Sequence, residues 1–393
     1  FMKVCYCGPV SLRLLTDLVE QGDSLPEGYV YPLGAYLVRA LHKAGIEVSV
    51  VTCWKDIREP LHLRGEGIEI RALPRRAGLP LMFDAYGKER RLMVRAIQSS
   101  GADLVHSQWT YEFAHAGLDS GLPCLVTARD APWEIARHTR SPYRIFRAIY
   151  SGQLLKRIRN LSVISPYLGE RYHAMGYRGQ AQVVPNGLAK GLFRDDISTG
   201  VGPRNGPRFL SVTGWNRRKN PKTLLQAFGA LRRNRLEARL ILVGKDMDRG
   251  GPAEAWARSN GLADGVEFMG VVDHGSVIGL MRDSADIFVH STREESFCMT
   301  ILEAMAQGLP VVALPGSGAV PWLLAEGRAG CLAGGVGWKD LTAAMESLLA
   351  DPAGREQLAS AGHARAREHF TMDAIAKAYI SLYEHILNPS IPS

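Results

Sequence analysis

The chain has 393 residues, 46% hydrophobic and 22% charged, a balance that excludes a disordered polymer and points to two domains. Its formal net charge is +8, and residues 1–190 carry the whole excess with 25 Lys and Arg against 17 Asp and Glu, while residues 191–393 carry 22 of each. No apolar run reaches the roughly 20 residues of a membrane-spanning helix, and Cys5, Cys7, Cys53, Cys124, Cys298 and Cys331 show no C-x-x-C pairing, so a reduced, cytoplasmic setting is expected.

Taken in chain order, short β-branched runs at 3–8, 47–53, 68–73, 103–108, 123–128 and 161–165 alternate with helical patterns, among them an amphipathic helix near 32–44. Strands alternating with helices imply a parallel sheet covered on both faces. Segment 137–160, RHTRSPYRIFRAIYSGQLLKRIRN, interleaves aromatics with cations, and from Arg129 to Arg159 eight residues are basic and two acidic. It reads equally as a membrane-surface or acceptor-facing element and as a helix with a solvated Arg face and a buried Ile, Phe and Leu face. The stretch 191–207 is rich in Gly, Pro and polar residues, lacks periodicity, and is expected to link a domain at 1–190 to one at 208–370. In the second domain strands are expected at 208–213, 238–244, 266–270, 285–291, 310–314 and 329–333, with a helix over 221–234. The tail is helical, and its last part, 371–393, is expected to return toward the first domain.

Segment 285–312, ADIFVHSTREESFCMTILEAMAQGLPVV, carries the most chemistry. A buried strand ends at His290 and Ser291, a polar loop follows, and a helix is expected to start near Phe297 and to close at Gly308. Ligands in such sheets collect at the carboxyl ends of strands, and free N–H groups from about Cys298 to Thr300 suit a phosphate oxygen. Glu295 and Glu303 flank that spot; carboxylates repel phosphate, so sugar hydroxyls are their expected partners. Glutamates that merely favour a helix start and its exposed face give the same pattern. The turn SVTGWNRRKN, 211–220, adds cations that would stabilise charge growing on a leaving diphosphate, or that form a solvated basic turn. DMD at 246–248 reads as a polar loop after a buried strand, and neither a metal ion nor a cofactor is expected.

Residues 295–303, ESFCMTILE, followed by AMAQGLPVV, resemble the E-x(7)-E signature of the retaining glycosyltransferases of family 4, and the likeness extends over nearly the whole chain. It implies the GT-B fold: an α/β architecture of two Rossmann-like, doubly wound parallel-sheet domains facing a central cleft. It also implies a nucleotide diphosphate sugar as donor, with UDP or GDP as the nucleotide, and a hydroxyl-bearing acceptor. Carried over, Glu303 holds the donor ribose, Glu295 lies by the transferred sugar, and the backbone of Phe297, Cys298, Met299 and Thr300 contacts the diphosphate. Cys298 stands where the family usually has Gly. Gly214 matches the family's glycine and Lys219 its lysine, while Trp215 replaces an arginine, so a second positive charge falls to Arg217 or Arg218.

In the first domain LPEGYVYPLGAYLVRALHKAGIEVSVVT places Gly28 at the family's glycine loop, and His106, Asn186 and Gly187 also fit. Arg129 replaces a histidine that lies near the sugar, and Asp130 beside it is kept. With Glu295, these two are the expected catalytic residues. A GT-B relative with epimerase or phosphorylase chemistry, and a non-catalytic scaffold binding polyanions or membranes, are the rivals. Peripheral contact with the inner face of a membrane fits the basic first half, and nucleic acid is not an expected partner.

Overall fold

The computed structural model describes residues 2–78, 80–197 and 206–388. The chain forms two compact units, one made of residues 1–187 with 372–393 and the other of 188–371. Of the stretch expected to be a linker, 198–205 lies outside the described residues. Its beginning packs in the second unit, where the Arg194 N–H donates to the Ala306 carbonyl (3.0 Å) and Gln307 Nε2 to the Leu192 carbonyl (2.6 Å).

The first unit holds strands β1 (Lys3–Cys7), β2 (Glu47–Trp54), β3 (Leu61–Gly65), β4 (Ile68–Pro74), β5 (Leu104–Gln108), β6 (Cys124–Ala128), β7 (Asn160–Val163) and β8 (Ala181–Val183). Their order in the sheet is β3-β4-β2-β1-β5-β6-β7-β8, and all neighbours are parallel except β3 and β4. That antiparallel pair lies at one edge of the otherwise parallel sheet that the sequence implies. Only Glu66 and Gly67 separate the two strands, too few for a crossover, and Gly67 at φ +66° lets the chain double straight back. Central strands β5 and β6 are buried along their whole length, as a sheet covered on both faces requires.

Helix Pro32–Lys43 buries Ala35, Leu37, Val38 and Leu41. The same core takes in Val4, Val48 and Val50 from the strands and Ile375, Tyr379 and Tyr383 from the last helix, Met372–Leu387. Each buried aliphatic side chain contributes about 1.5–3 kcal/mol. The two tyrosines also find polar partners, Tyr383 Oη at 2.6 Å from His106 Nδ1 and Tyr379 Oη at 3.3 Å from Thr127 Oγ1.

The second unit is parallel throughout: β9 (Arg208–Val212), β10 (Arg239–Val243), β11 (Val266–Gly270), β12 (Ile287–His290), β13 (Val311–Ala313) and β14 (Cys331–Leu332) lie in the order β11-β10-β9-β12-β13-β14. Strand order runs outward in both directions from the β9/β12 pair, so the carboxyl ends of these two strands are a topological switch point, where ligands gather. Phe209, Leu240, Leu242, Ile287 and Val289 from the sheet pack with Leu224 and Phe228 of helix Pro221–Arg232 and with Leu341 and Met345 of helix Trp338–Ala350. Among the described residues no helix is long and apolar enough to cross a membrane.

Candidate functional site

Two loops meet at the switch point, one running from β9 through Gly214 to Asn220 and the other from β12 through Ser291 to Cys298. They are stitched together. Asn220 Nδ2 donates to the Ser291 carbonyl (3.0 Å), the Ser291 hydroxyl to the Asn220 carbonyl (3.2 Å), and the Arg293 N–H to the Arg218 carbonyl (2.9 Å). Asn220 occupies the left-handed region at φ 55°, which Asn tolerates better than most residues. Pro221 then opens the helix at a position where a missing N–H costs nothing.

This stitching brings Lys219 Nζ to 2.5 Å from Glu295 Oε1. Glu295 is only 8% exposed. Burial works to raise its pKa, and Lys219, His290 and Arg218 together outweigh burial, holding the carboxyl below its ordinary 4.5. His290 Nε2 lies 3.7 Å from the same oxygen. Burial lowers the pKa of His290 to about 4, against the pull of Glu295 and with Lys219 and Arg218 adding to the drop, so the ring is neutral at pH 7 and this contact is no ion pair.

Cys298 Sγ lies 3.7 Å from His290 Nε2 and 3.4 Å from Thr300 Oγ1. His290, Glu295 and Cys298 thus set three candidate metal-ligand atoms within 4.8 Å of one another. The Lys219 ammonium already lies on Glu295, and burial lifts the Cys298 thiol to about 12, so a cation would have to displace the first and deprotonate the second.

Helix Met299–Ala306 begins at Cys298, whose φ and ψ of 88° lie in the left-handed region where a side chain is strained. It starts two residues later than the sequence pattern suggests and has no side-chain cap, which leaves first-turn amides, those of Met299 and Thr300 included, without intrahelical acceptors. The Phe297 ring packs against Trp322 and Phe370, with centroids 6.2 and 5.7 Å away, so its side chain is core. Glu303 is 7% exposed, and its Oε1 lies 2.8 Å from His274 Nε2, a bond that raises the His274 pKa above 6.5. Arg218 Nη1 turns to Glu294 Oε2 at 3.3 Å, and Arg217 is exposed with no ion pair among the described residues. A Cβ on Gly214 would meet Asn216 Nδ2 at 3.4 Å and the Lys245 carbonyl oxygen at 3.7 Å, ordinary van der Waals contacts, so sterics here do not demand the glycine.

The remaining expected residues lie in the first unit. Gly28 sits at φ +76°, and a Cβ there would meet the Val10 carbonyl oxygen at 2.7 Å and the Leu12 nitrogen at 2.9 Å. Arg129 follows β6 and is held on two sides, Nε donating to Gln108 Oε1 (2.7 Å) and Nη1 to Asn186 Oδ1 (2.5 Å). Asp130 accepts from the Tyr111 hydroxyl on both oxygens at 3.0 Å. His106 is a core histidine: it is fully buried, bonded to Tyr383, Thr127 and Gln108, and driven well below its ordinary pKa by burial first and Arg129 second. The basic segment forms helices Pro132–Thr139 and Pro142–Gly152, and the second reverses the buried-Ile expectation. Arg147 is 6% exposed, paired with Glu112 at 2.8 Å and lying 3.4 Å from the Tyr111 ring centre, whereas Ile145 and Ile149 stand 43% and 51% exposed.

The family model for a glycosyl transferase 4-like domain matches residues 35–187, and that for glycosyl transferases group 1 matches residues 195–365. The chain belongs to the group 1, family 4-type glycosyltransferases. Similar curated proteins include the lipopolysaccharide core biosynthesis glycosyltransferase LpsE of Rhizobium meliloti, 27% identical over 63% of this chain and 72% of that protein. A phosphatidyl-myo-inositol mannosyltransferase of Mycobacterium leprae is 27% identical over 63% of this chain and 66% of its own length. Among solved structures, a sucrose-phosphate synthase from Thermosynechococcus elongatus superposes with a TM-score of 0.76 at 22% identity, covering 99% of this chain and 100% of that one. HepE of Anabaena, solved with UDP and glucose, gives 0.69 at 17% identity over 98% and 100%. The shared architecture is the GT-B fold.

In this glycosyltransferase, sequence reasoning passed over His274 and Asn220 beside the second-unit residues and Tyr111 beside Asp130 in the first unit, and it placed His290 only as the end of a strand. Asn220 alone left a local signal, an Asn-Pro step at a helix start. His274 lies 29 positions from Glu303 and Tyr111 lies 19 from Asp130, so their pairing emerges only from the strand order.

Proposed function

We propose that this glycosyltransferase moves a hexose-type sugar from a UDP- or GDP-linked donor to a hydroxyl acceptor, with retention of anomeric configuration and without a metal ion. The observation that carries the reading is Lys219 at 2.5 Å from Glu295 beside the uncapped start of helix Met299–Ala306. A cation, free amides and a carboxylate in one place suit a diphosphate with a polyol next to it. In this reading Lys219 and the amides of Met299 and Thr300 take up the charge that develops on the diphosphate oxygen as its bond to the sugar C1 breaks. That is the electrostatic work a metal performs in other transferases. Glu303 takes the ribose diol, Glu295 faces the transferred sugar, and Arg129, Asp130 and the Gly28 loop serve the sugar or the acceptor. The incoming hydroxyl attacks C1 on the face the diphosphate leaves, and its proton passes to a departing phosphate oxygen. The new C1–O bond then keeps the original configuration.

A structural neighbour solved with UDP and glucose, and a relative named as a mannosyltransferase, support a hexose on a nucleotide diphosphate. Exposed Ile145 and Ile149 amid Arg137, Arg140 and Arg144 support peripheral contact with an anionic membrane leaflet.

A thermal-shift panel of UDP-, GDP-, ADP- and dTDP-sugars, with and without EDTA, tests the reading. The preferred donor at one hundred times its Kd should stabilise by about 2.7 kcal/mol. NMR of the product gives the anomer. A shift abolished by EDTA, or a product of inverted configuration, would overturn the proposal.

A further inference from the structure

The second unit carries a cavity of about 540 Å³ lined by the turn at Trp215 to Arg217, the first turns of helix Pro221–Arg232, Trp256 and Arg293. Lys219, Glu295, Cys298 and Glu303 take no part in its lining. Its volume lies in the ordinary range for small-molecule sites. Trp215 and Trp256 form one wall, their ring centres 5.7 Å apart and their planes tilted by 49°, and both are partly exposed. Lys222 Nζ lies 5.6 and 5.1 Å from the two ring centres.

The charge around this cavity is one-sided. Arg217, Lys222 and Arg293 line it, and among the described residues no acidic one does. Among the described residues neither Arg217 nor Lys222 has a carboxylate partner, and Arg293 Nη2 donates to the neutral amide oxygen of Asn220 (3.2 Å). Residues 191–393 carry equal numbers of cations and anions, 22 of each, so three cations converging here do not follow from a generally basic surface. Asn216 and Gln226 add amides that donate and accept.

We propose that this cavity binds an acidic saccharide, a sugar ring bearing a phosphate or a carboxylate, beside but not over Lys219, Glu295 and Glu303. The indoles pack the apolar C–H face of the ring, the cations pair with its anion, and the amides take hydroxyls. A bare anion has no use for the indole wall, and a neutral sugar has none for three unpaired cations. Two rings tilted at 49° make a corner, not the parallel slot that would sandwich a nucleobase. Asn220 and Arg217 border both places, but Lys219, Glu295 and Glu303, which carry the donor reading, do not line the cavity, so the two readings are tested by different residues.

Calorimetric titration at low ionic strength tests it, with glucose 6-phosphate and glucuronate as probes for the two sources of charge and with glucose, inorganic phosphate and UMP beside them. At least one acidic sugar should saturate with a Kd of about 1 mM or tighter. Glucose and inorganic phosphate should each bind at least about tenfold more weakly, and Lys222→Ala and Arg293→Ala should each weaken the acidic sugar about tenfold. Trp256→Ala should do the same while Trp256→Phe keeps most of the binding, which separates a lost wall from a lost fold. UDP affinity should change less than about twofold in the Lys222 variant. No saturation by either acidic sugar, inorganic phosphate binding as tightly as the sugar, UMP binding more tightly, or variants without effect would each overturn the proposal.

Discussion

Replacing Lys219 by alanine should damage stability and ligand binding through different routes, and a second substitution should pull the two apart. In the native unit the Lys219 ammonium lies 2.5 Å from a carboxylate that is 8% exposed. Removing one partner of a fully buried pair costs about 3–5 kcal/mol, because the remaining charge stays desolvated. Here the Lys219 side chain is 26% exposed and Glu295 can take up a proton, so a loss of about 2–3 kcal/mol is expected. Scanning calorimetry should show it as a fall of roughly 5–10 °C in the transition of the second unit. The sign of the pH dependence should also reverse. With Lys219 present the lowered carboxyl contributes stability above pH 4.5 that is lost as pH falls through its folded value, whereas without Lys219 burial prevails and the contribution becomes a penalty as pH rises.

Adding Glu295→Gln removes the stranded charge and should recover most of the stability. It should not recover UDP affinity. Loss of one charge-assisted bond to a phosphate costs about 1.5–3 kcal/mol, so Lys219→Ala alone and with Glu295→Gln should both bind UDP about 10- to 150-fold more weakly. Wild-type UDP affinity in Lys219→Ala, or recovery of affinity together with stability in the double variant, would refute the reasoning.

Cys298→Gly removes a side chain held at φ 88°, and relief of strain should offset the lost thiol contacts, leaving stability within about 1 kcal/mol and transfer activity intact; a drop of more than about 2 kcal/mol in chemical denaturation would contradict the strain argument. The His274–Glu303 bond raises the His274 pKa, so its contribution is fully present below pH 6.5 and is lost as pH rises through the folded value. With the His274 side chain 52% exposed, wild type should exceed His274→Gln by under about 1 kcal/mol at pH 6 and by less at pH 8.5, and a gap that widens with pH would count against it. Ile145→Glu with Ile149→Glu should leave Tm nearly unchanged and reduce co-sedimentation with anionic vesicles, while undiminished co-sedimentation would remove the membrane reading.

The pattern of alternation was enough to read most strands of both sheets, because a doubly wound sheet buries whole β-branched runs and each run is bounded by turn residues. β3 escaped because LHLRG mixes a cation and an imidazole into a half-exposed edge, and β8 because three residues give no period. Helix Pro352–His369 presents no single apolar face and so carries no 3.6-residue signal, although Gly362, His363 and Ala366 are buried. At the site, the spacing from Glu295 to Glu303 was visible as a string, and so was the Lys219 turn. The choice between Arg217 and Arg218 was not: both are cations in one turn, and only the position of Glu294 draws one of them in. The buried Arg147 was illegible for a similar reason, since its partners Glu112 and Tyr111 lie more than thirty residues away and outweigh the helix's own periodicity.

The final helix, Met372–Leu387, supplies Tyr379 and Tyr383 to the core that begins at Val4. During synthesis that core must therefore wait until the ribosome has made residues 372–387. Until then the ring of His106 lacks one of its hydroxyl partners and Gly187 lacks the Ile375 side chain that packs beside it. A chain stopped between residues 188 and 371 would carry a first unit with an open seam, and quality-control proteases rather than loss of substrate contacts would decide its fate.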